Sequence, residues 1–443
     1  MNFFKIFIMA FICAGIFITN AQEKLTLRDA ITIALNQNTS VIKSYNSLET
    51  SNAAVKNAYG NLLPSLNLSS GWNWQRVSNS KGATVINYFG EAQTLGPTET
   101  DSRSYSMSLG GNVTLFDGLA NISTINQKEN DLQSAKYDLE KLRQDVMLQT
   151  VNLFIVLTNN EKILKFQEAD LKFNEDMLNK VKEMFDLKMK ANVDLYSQEY
   201  QTSNSQLSYL QAKNNYEKSK IALLNYLSKD ILKDYSFEMD SSYLPESVKN
   251  IDDIDALYKT ALINRNDYQS SKLKLENTEY QLSIARGGYL PSLSGNYGFS
   301  TSSTQPRDLF SRKVYSFGLT FSFPIFSRWS TELSMQSAQV QNKNTNEDLN
   351  ALERQIKSDL KNAALDLQTA NLQLEVTQAA LKSALETWQI KRDSYTLGAA
   401  TFIDQQQAYR DFIQATNNAI SSESNYILKQ FGLLSAMGLL KTE

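Results

Sequence analysis

Hydrophobic residues alternate one for one with small polar residues in four stretches of the chain. Leu66, Leu68, Trp72 and Trp74 sit at even positions, with Asn67, Ser69, Gly71 and Asn73 between them. Tyr105, Met107, Leu109, Val113 and Leu115 alternate with Ser106, Ser108, Gly110, Asn112 and Thr114. In the second half, Leu293, Tyr297 and Phe299 alternate with Ser294, Asn296, Gly298 and Ser300. Tyr315, Phe317, Leu319, Phe321 and Phe323 alternate with Ser316, Gly318, Thr320 and Ser322. Successive side chains of a β-strand point to opposite faces, so each stretch predicts a strand with one apolar and one small polar face. A length of about ten residues is what a tilted membrane-spanning strand needs. The interposed residues are small and uncharged and the apolar face is rich in aromatics, which favours lipid on one side and water on the other over an ordinary soluble hairpin.

Between the strands the period changes. From about Leu119 to Lys190 there is neither proline nor glycine, and Ile125, Leu132, Leu139, Val146 and Leu153 recur every seven residues. That spacing predicts one very long helix with an apolar seam, extending on the order of 100 Å at ~1.5 Å per residue. A matching run spans about Ser330 to Leu397. Return helices are expected at about Val193 to Leu227 and Phe402 to Leu434, and shorter helices at about Leu27 to Leu62 and Ile254 to Arg286.

The chain is written twice. Ala34-Leu35 recurs as Ala261-Leu262, and Leu63-Pro64-Ser65-Leu66 as Leu290-Pro291-Ser292-Leu293, both at an offset of 227. Leu115-Phe116 corresponds to Ile325-Phe326, Val193-Asp194 to Ile403-Asp404, and Leu223-Leu224 to Leu433-Leu434, all at an offset of 210. The offset changes once, inside a loop between the paired strands, longer in the first half (about Val77 to Arg103) than in the second (about Ser302 to Lys313). The expected organisation is a signal peptide (1–21), a first structural repeat of helix, β-hairpin, long helix and return helix (22–229), a linker or small equatorial element (230–253), a second structural repeat (254–440) and a short tail (441–443).

Composition narrows the chemistry. The chain has 443 residues, 44 basic and 47 acidic, for a net charge of -3, so nothing suggests a phosphate-binding surface and nucleic acid is a poor candidate partner. There is no histidine, which removes imidazole bases, Ser-His-Asp triads and His-liganded metals. The one cysteine, Cys13, falls in a segment that reads as a secretory signal: Lys5, an apolar run from Ile6 to Ile18, and Thr19-Asn20-Ala21 before a mature start near Gln22. Ala10-Phe11-Ile12 before Cys13 does not suit lipidation. The expectation is a chain with no catalytic residues, no cofactor and no metal.

No later stretch has 18 consecutive apolar residues, so a membrane would have to be crossed by the strands. Four strands cannot close a barrel, and open strand edges cannot sit in lipid with their backbone groups unsatisfied. The strands therefore imply several copies, and three copies give twelve strands.

The order helix, two membrane strands, very long helix, tight turn and return helix, all duplicated, resembles the TolC family of outer-membrane efflux proteins. The Leu-Pro-Ser-Leu segments entering a strand and the segment from Leu397-Gly398 to Asp404 carry the likeness most closely, and it covers nearly all of the mature chain. The resemblance implies a mainly α fold with a small transmembrane β part. Duplicated long-helix hairpins would form a trimeric periplasmic α-barrel, joined to a 12-strand outer-membrane β-barrel with four strands from each protomer. It implies a homotrimer set in outer-membrane lipid and reaching into the periplasm. Its partners would be a periplasmic adaptor (membrane fusion protein) and an inner-membrane pump, in a tripartite efflux or type I secretion system. The duct would be passive, and drugs, toxic metals and secreted polypeptides all fit as cargo.

The resemblance also implies where the periplasmic end closes: the turns at about Phe185 to Asp194 and Tyr395 to Asp404. Asp194 and Asp404 match the family's acidic entrance residues, with Val193 beside the first. Three copies would place six carboxylates at one constriction, which favours cations. Each aspartate also suits a helix cap, and the two roles are compatible. Tyr395 matches the family's gate tyrosine, with Asp194 its expected acceptor, or it is a packing residue. Leu187, Lys188, Leu397 and Gly398 are the expected adaptor-docking positions. There are departures. The family's gate arginine falls on Ala400, the second aspartate of the entrance ring falls on Gln407, and Lys188 stands where glycine is common, with Lys190 nearby. These lysines either pair with Asp194 or Asp404 or are solvated. Two other functions fit less of the pattern: a periplasmic coiled-coil adaptor or scaffold, and a carboxylate-based surface hydrolase.

Overall fold

The computed structural model describes residues 23–79, 83–239 and 253–441; the expected signal peptide lies outside them. The chain divides into two compact units. One holds residues 43–141 and 258–358, and the other holds the described parts of 1–42, 142–257 and 359–443.

The first unit carries the four alternating strands. β2 (Asn67–Asn79), β5 (Thr98–Phe116), β7 (Ser292–Ser303) and β8 (Val314–Ser322) form one antiparallel sheet in that order. The register keeps the alternation of each strand in phase with its neighbours. Leu68, Leu109, Phe299 and Tyr315 lie side by side across all four strands, and Asn67, Gly110, Gly298 and Ser316 form the adjacent row. A slip of one residue would put every aromatic on the polar face. The apolar row is exposed, with Trp72, Tyr315, Phe317 and Phe321 standing out from the sheet. β2 and β8 are its two edges, and neither pairs with another described strand on its outer side. Among the described residues, no helix is long and apolar enough to cross a membrane.

The strands run further than their alternation. β2 reaches Asn79 and β5 begins at Thr98, where the sequence reads Thr-Glu-Thr-Asp-Ser-Arg and has no apolar period. Backbone pairing carries the ladder there, with the Arg76 guanidinium held on the Asp101 carboxylate at 2.7 and 2.9 Å. Much of the expected first-half loop is therefore strand. The rest holds a small hairpin of β3 (Ala83–Ile86) and β4 (Ala92–Leu95), whose turn is organised by Asn87 Oδ1 accepting from the amides of Phe89 and Glu91.

The helices repeat in length as well as in sequence. α1 (Leu27–Gln37) and α5 (Ile254–Asn264) each have 11 residues, and α2 (Thr39–Gly60) and α6 (Asn266–Gly287) each have 22. α3 (Ala120–Asp186) and α7 (Ser330–Thr396) have 67 apiece, and α4 (Asn192–Tyr226) and α8 (Phe402–Ala436) have 35. The helices expected at 27–62 and 254–286 are each broken once, at Asn38 and at Arg265, two positions that correspond in the repeat. Both residues leave the helical region (ψ 125° and 116°). Asn38 then accepts the Ser40 amide at 2.9 Å, and Arg265 forks onto Asp267. Left-handed backbone recurs in the same way. Gly118-Leu119 corresponds to Arg328-Trp329, Lys188 to Gly398 and Ser228 to Gly438, all at positive φ and all 210 residues apart.

The core of the second unit is built from the middle of α3 (Val146, Val151, Phe154, Ile155, Leu157), the end of α4 (Leu223, Leu224) and the end of α8 (Phe431, Leu433), all buried. Each such side chain contributes roughly 1.5–3 kcal/mol on burial. β1 (Glu23–Thr26) pairs in parallel with β6 (Tyr235–Glu238), so the segment expected as a linker or equatorial element supplies a strand. The Phe237 ring meets Phe154 edge-on at 6.3 Å.

Candidate functional site

The two tight turns lie in the second unit and end their helices alike. The amides of Lys188 and Met189 return to the carbonyls of Phe185 and Met184, and those of Gly398 and Ala399 return to Tyr395 and Ser394. This Schellman closure requires a left-handed residue at the first position of each pair. Gly398 meets the requirement without strain at φ 75°, while Lys188 sits at φ 58°, a conformation costing an L-residue about 1–2 kcal/mol. Leu187, Leu397 and Val193 are exposed around these turns.

Beyond this shared frame the turns diverge. Thr401 caps α8: its hydroxyl accepts the Asp404 amide at 3.1 Å, and Asp404 accepts in return from the Thr401 amide and hydroxyl at 3.2 and 2.8 Å. These bonds, from the hydroxyl first and then the amide, hold the Asp404 carboxyl below the usual carboxylate range. The counterpart of Thr401 is Ala191, which has no hydroxyl, and α4 begins without a side-chain cap. Asp194, the counterpart of Asp404, instead faces Lys190 at 3.6 Å.

Lys190 is the centre of the site. It projects from the first turn onto the second, where its ammonium donates to the Tyr395 hydroxyl. The same nitrogen lies 4.6 Å from the centre of the Tyr395 ring and 5.6 Å from that of Phe402. The two rings are 5.7 Å apart. Only 19% of the Lys190 side chain is exposed. The expected acceptor of Tyr395 was Asp194; the structure places Lys190 between them, so the tyrosine reaches the aspartate through the lysine. Asp404 bonds within its own turn. Gln407 stays on its own helix, donating to Asp411 at 2.8 Å and accepting from Arg410 at 2.6 Å.

One layer further along the helices a buried polar ladder joins α3, α4 and α8. Gln406 donates to Gln198 Oε1 at 2.7 Å, and Gln198 donates to the Asn174 carbonyl and Oδ1 at 3.2 and 3.3 Å. Asn174 Nδ2 donates to Asp170 Oδ1 at 3.0 Å, and the Tyr409 hydroxyl donates to that same oxygen at 2.5 Å. All five side chains are buried. Burial, and then the Asp170 charge, push the Tyr409 phenol far up, which keeps it a donor. The Tyr409 ring packs against Phe173 at 4.8 Å and Trp388 at 5.5 Å, and Trp388 stacks on Phe412 at 5.2 Å. The ladder occurs once per chain: 210 residues away, Asp170, Asn174 and Gln198 correspond to Ala380, Ala384 and Ala408. Sequence reasoning passed it over, although the seven-residue series that begins at Ile125 turns polar at Asn160, Gln167 and Asn174.

A family model described as outer membrane efflux protein matches residues 30–229 and 257–439. The chain is similar to the outer membrane protein TolC of Vibrio cholerae, 20% identical over 395 residues, which is 88% of this chain and 85% of that protein. Among solved structures it resembles the CmeC outer membrane channel of Campylobacter jejuni, with TM-score 0.78 and 20% identity over 93% of this chain and 85% of that one. It also resembles the open state of the MtrE outer membrane channel of Neisseria gonorrhoeae, with TM-score 0.76 and 17% identity over 93% of this chain and 89% of that one.

Proposed function

The chain belongs to the outer membrane efflux protein family, and from that premise we propose that it is the outer-membrane channel subunit of a tripartite efflux or type I secretion system, a passive homotrimeric exit duct gated at its periplasmic end. The observation that carries this reading is the four-stranded sheet: apolar and exposed on one face, small and polar on the other, and open at β2 and β8. Open edges in hydrocarbon leave backbone groups unsatisfied at several kcal/mol each, so the sheet has to be closed by strands of other copies. Three copies supply twelve strands, an even number suited to an antiparallel barrel. A periplasmic adaptor has no use for such a sheet.

In this reading the paired turns are the gate. Lys190, Tyr395, Phe402 and Asp194 hold the two turns of one copy together, with Val193 and Asp404 at the same end. The exposed Leu187, Lys188, Leu397 and Gly398 offer an adaptor its docking surface. The pairing of Asp194 with Lys190 leaves the constriction less anionic than six free carboxylates would make it, and Gln407 adds no further charge. The energy for transport comes from the inner-membrane pump. The mature protein is expected in the outer-membrane fraction as a trimer that dissociates on heating in detergent. Recovery as a soluble periplasmic monomer overturns the reading.

A further inference from the structure

The four strands of the sheet carry four charged residues, Arg76 on β2 and Glu99, Asp101 and Arg103 on β5. Directly opposed residues of an antiparallel pair share a face. The register sets Tyr105 opposite Trp72, Arg103 opposite Trp74, Asp101 opposite Arg76 and Glu99 opposite Ser78, so all four charges stand on the apolar face. The small polar face carries none, and beside these residues it offers Asn73, Gln75, Ser102 and Ser104. A wet lumen holds a charge at little cost, and the hydrocarbon side does not. The placement is the reverse of what solvation alone selects, and it directs attention to a partner on the lipid side.

The charges are confined to one end. β2 follows α2 and β5 leads into α3, so Arg76 and Arg103 lie at the end of the strand pair away from those helices. From Trp74 and Tyr105 back to the helix end, no charge stands on the apolar face of any of the four strands. The two arginines mark where hydrocarbon gives way to head groups, and in the channel reading that boundary is the outer leaflet. The Arg76 guanidinium lies 5.7 Å from the centre of the Trp74 ring and forks onto Asp101 through Nε and Nη2, which leaves Nη1 for another anion. Arg103 is exposed and makes no hydrogen bond or ion pair with another described residue; its charge reaches Asp101 only through space. Asp101 is already held by Arg76, so Arg103 is surplus positive charge. Glu99 stands four positions away, ~13 Å along the strand.

The geometry points to a binding site for a phosphorylated glycolipid of the outer leaflet, with its phosphate on Arg103 and the free edge of Arg76 and its acyl chains along Trp72, Trp74 and Met107. A guanidinium presents a planar fork that matches phosphate oxygens. Free phosphate would find the same two cations but has no use for the indoles beside them. The adjoining apolar rows, with Trp72 64% exposed, select an anion that carries hydrocarbon chains. The inference rests on the channel reading, which supplies the leaflet.

Lipid retention tests the site. The full-length protein is expressed, purified in detergent, washed free of lipid and offered bisphosphorylated lipid A or the same lipid stripped of its phosphates, and the bound lipid is counted by native mass spectrometry. Wild type is expected to retain the phosphorylated form roughly tenfold better. Arg103→Gln should lose most of that preference, and Arg103→Lys, which keeps the charge without the fork, should hold part of it. Lys382→Gln, an equal change of charge at an exposed position of α7, should leave the preference intact. An excess of inorganic phosphate should displace little of the lipid. A wild-type trimer that retains both lipids equally, or a preference that survives in Arg103→Gln, overturns the site alone. Full displacement by inorganic phosphate overturns the lipid as its occupant. A monomer by light scattering overturns the channel reading with it.

Discussion

Replacing Tyr409 with phenylalanine is expected to lower the stability of the helical unit by about 2–3 kcal/mol, because the lost hydroxyl is a donor to a buried carboxyl group. Asp170 would keep only Asn174 as a side-chain donor, in a site closed off by Phe173, Trp388 and Phe412. The substitution fills almost the same volume, so the cost isolates the hydrogen bond from packing. Chemical unfolding, followed by fluorescence in a background where Trp388 is the one tryptophan kept, measures it, and a loss under about 0.5 kcal/mol, the size of an ordinary surface change, would contradict the role given to the ladder. The pH dependence has a definite sign. The folded phenol titrates above its unfolded value, so its contribution is complete below the unfolded pKa of about 10 and declines as pH rises from there toward the folded value. The wild type should therefore lose stability above about pH 10, and Tyr409→Phe should lose less over the same range.

The second large effect is expected at the proposed gate. Lys190→Met keeps a long apolar stem but removes the ammonium that touches the Tyr395 hydroxyl, two rings and Asp194. A partly buried cation–π contact contributes about 0.5–2 kcal/mol, and an ion pair of this kind up to about 1. A net loss of 1–2 kcal/mol per copy corresponds to roughly a 5- to 30-fold shift from closed to open at each clasp. Reconstituted Lys190→Met channels should spend far more time in high-conductance states than wild type, and Lys190→Arg, which preserves the charge, should stay near wild type. Equal open probabilities for Met and wild type would remove Lys190 from the latch. Lys188→Met, at an exposed residue outside these contacts, is expected to leave the gating of the channel alone unchanged.

The parts of the fold set by short-range periodicity are legible in the sequence alone. The four strands and the duplication follow from residues such as Leu68, Leu109, Phe299 and Tyr315, whose alternation is strict because one face is apolar and the other is not. Helix ends were less visible. The first long helix stops at Asp186 rather than near Lys190, because Lys188 adopts the left-handed turn conformation with no glycine to mark it. The breaks at Asn38 and Arg265 leave no apolar gap in the sequence. The strand ends beyond Trp74 and before Tyr105 are held by backbone pairing that polar sequence does not reveal. At the candidate site, the turns, Asp194, Asp404 and Tyr395 could all be placed from the sequence. The partner of Tyr395 could not. The reach of Lys190 to Tyr395, 205 residues away, depends on how the two hairpins pack, and no local pattern encodes that distance.

A channel of this kind requires the apolar face of β2, β5, β7 and β8 to be bathed in hydrocarbon. Trp72 stands on that face, 64% exposed in the single chain, and a variant with the other three tryptophans changed to phenylalanine makes it the only indole reporter. In proteoliposomes, its fluorescence should be strongly quenched by lipids brominated along the acyl chain and hardly at all by aqueous iodide. Strong iodide quenching with no response to brominated lipid would mean that the face meets water, and the channel account would be wrong.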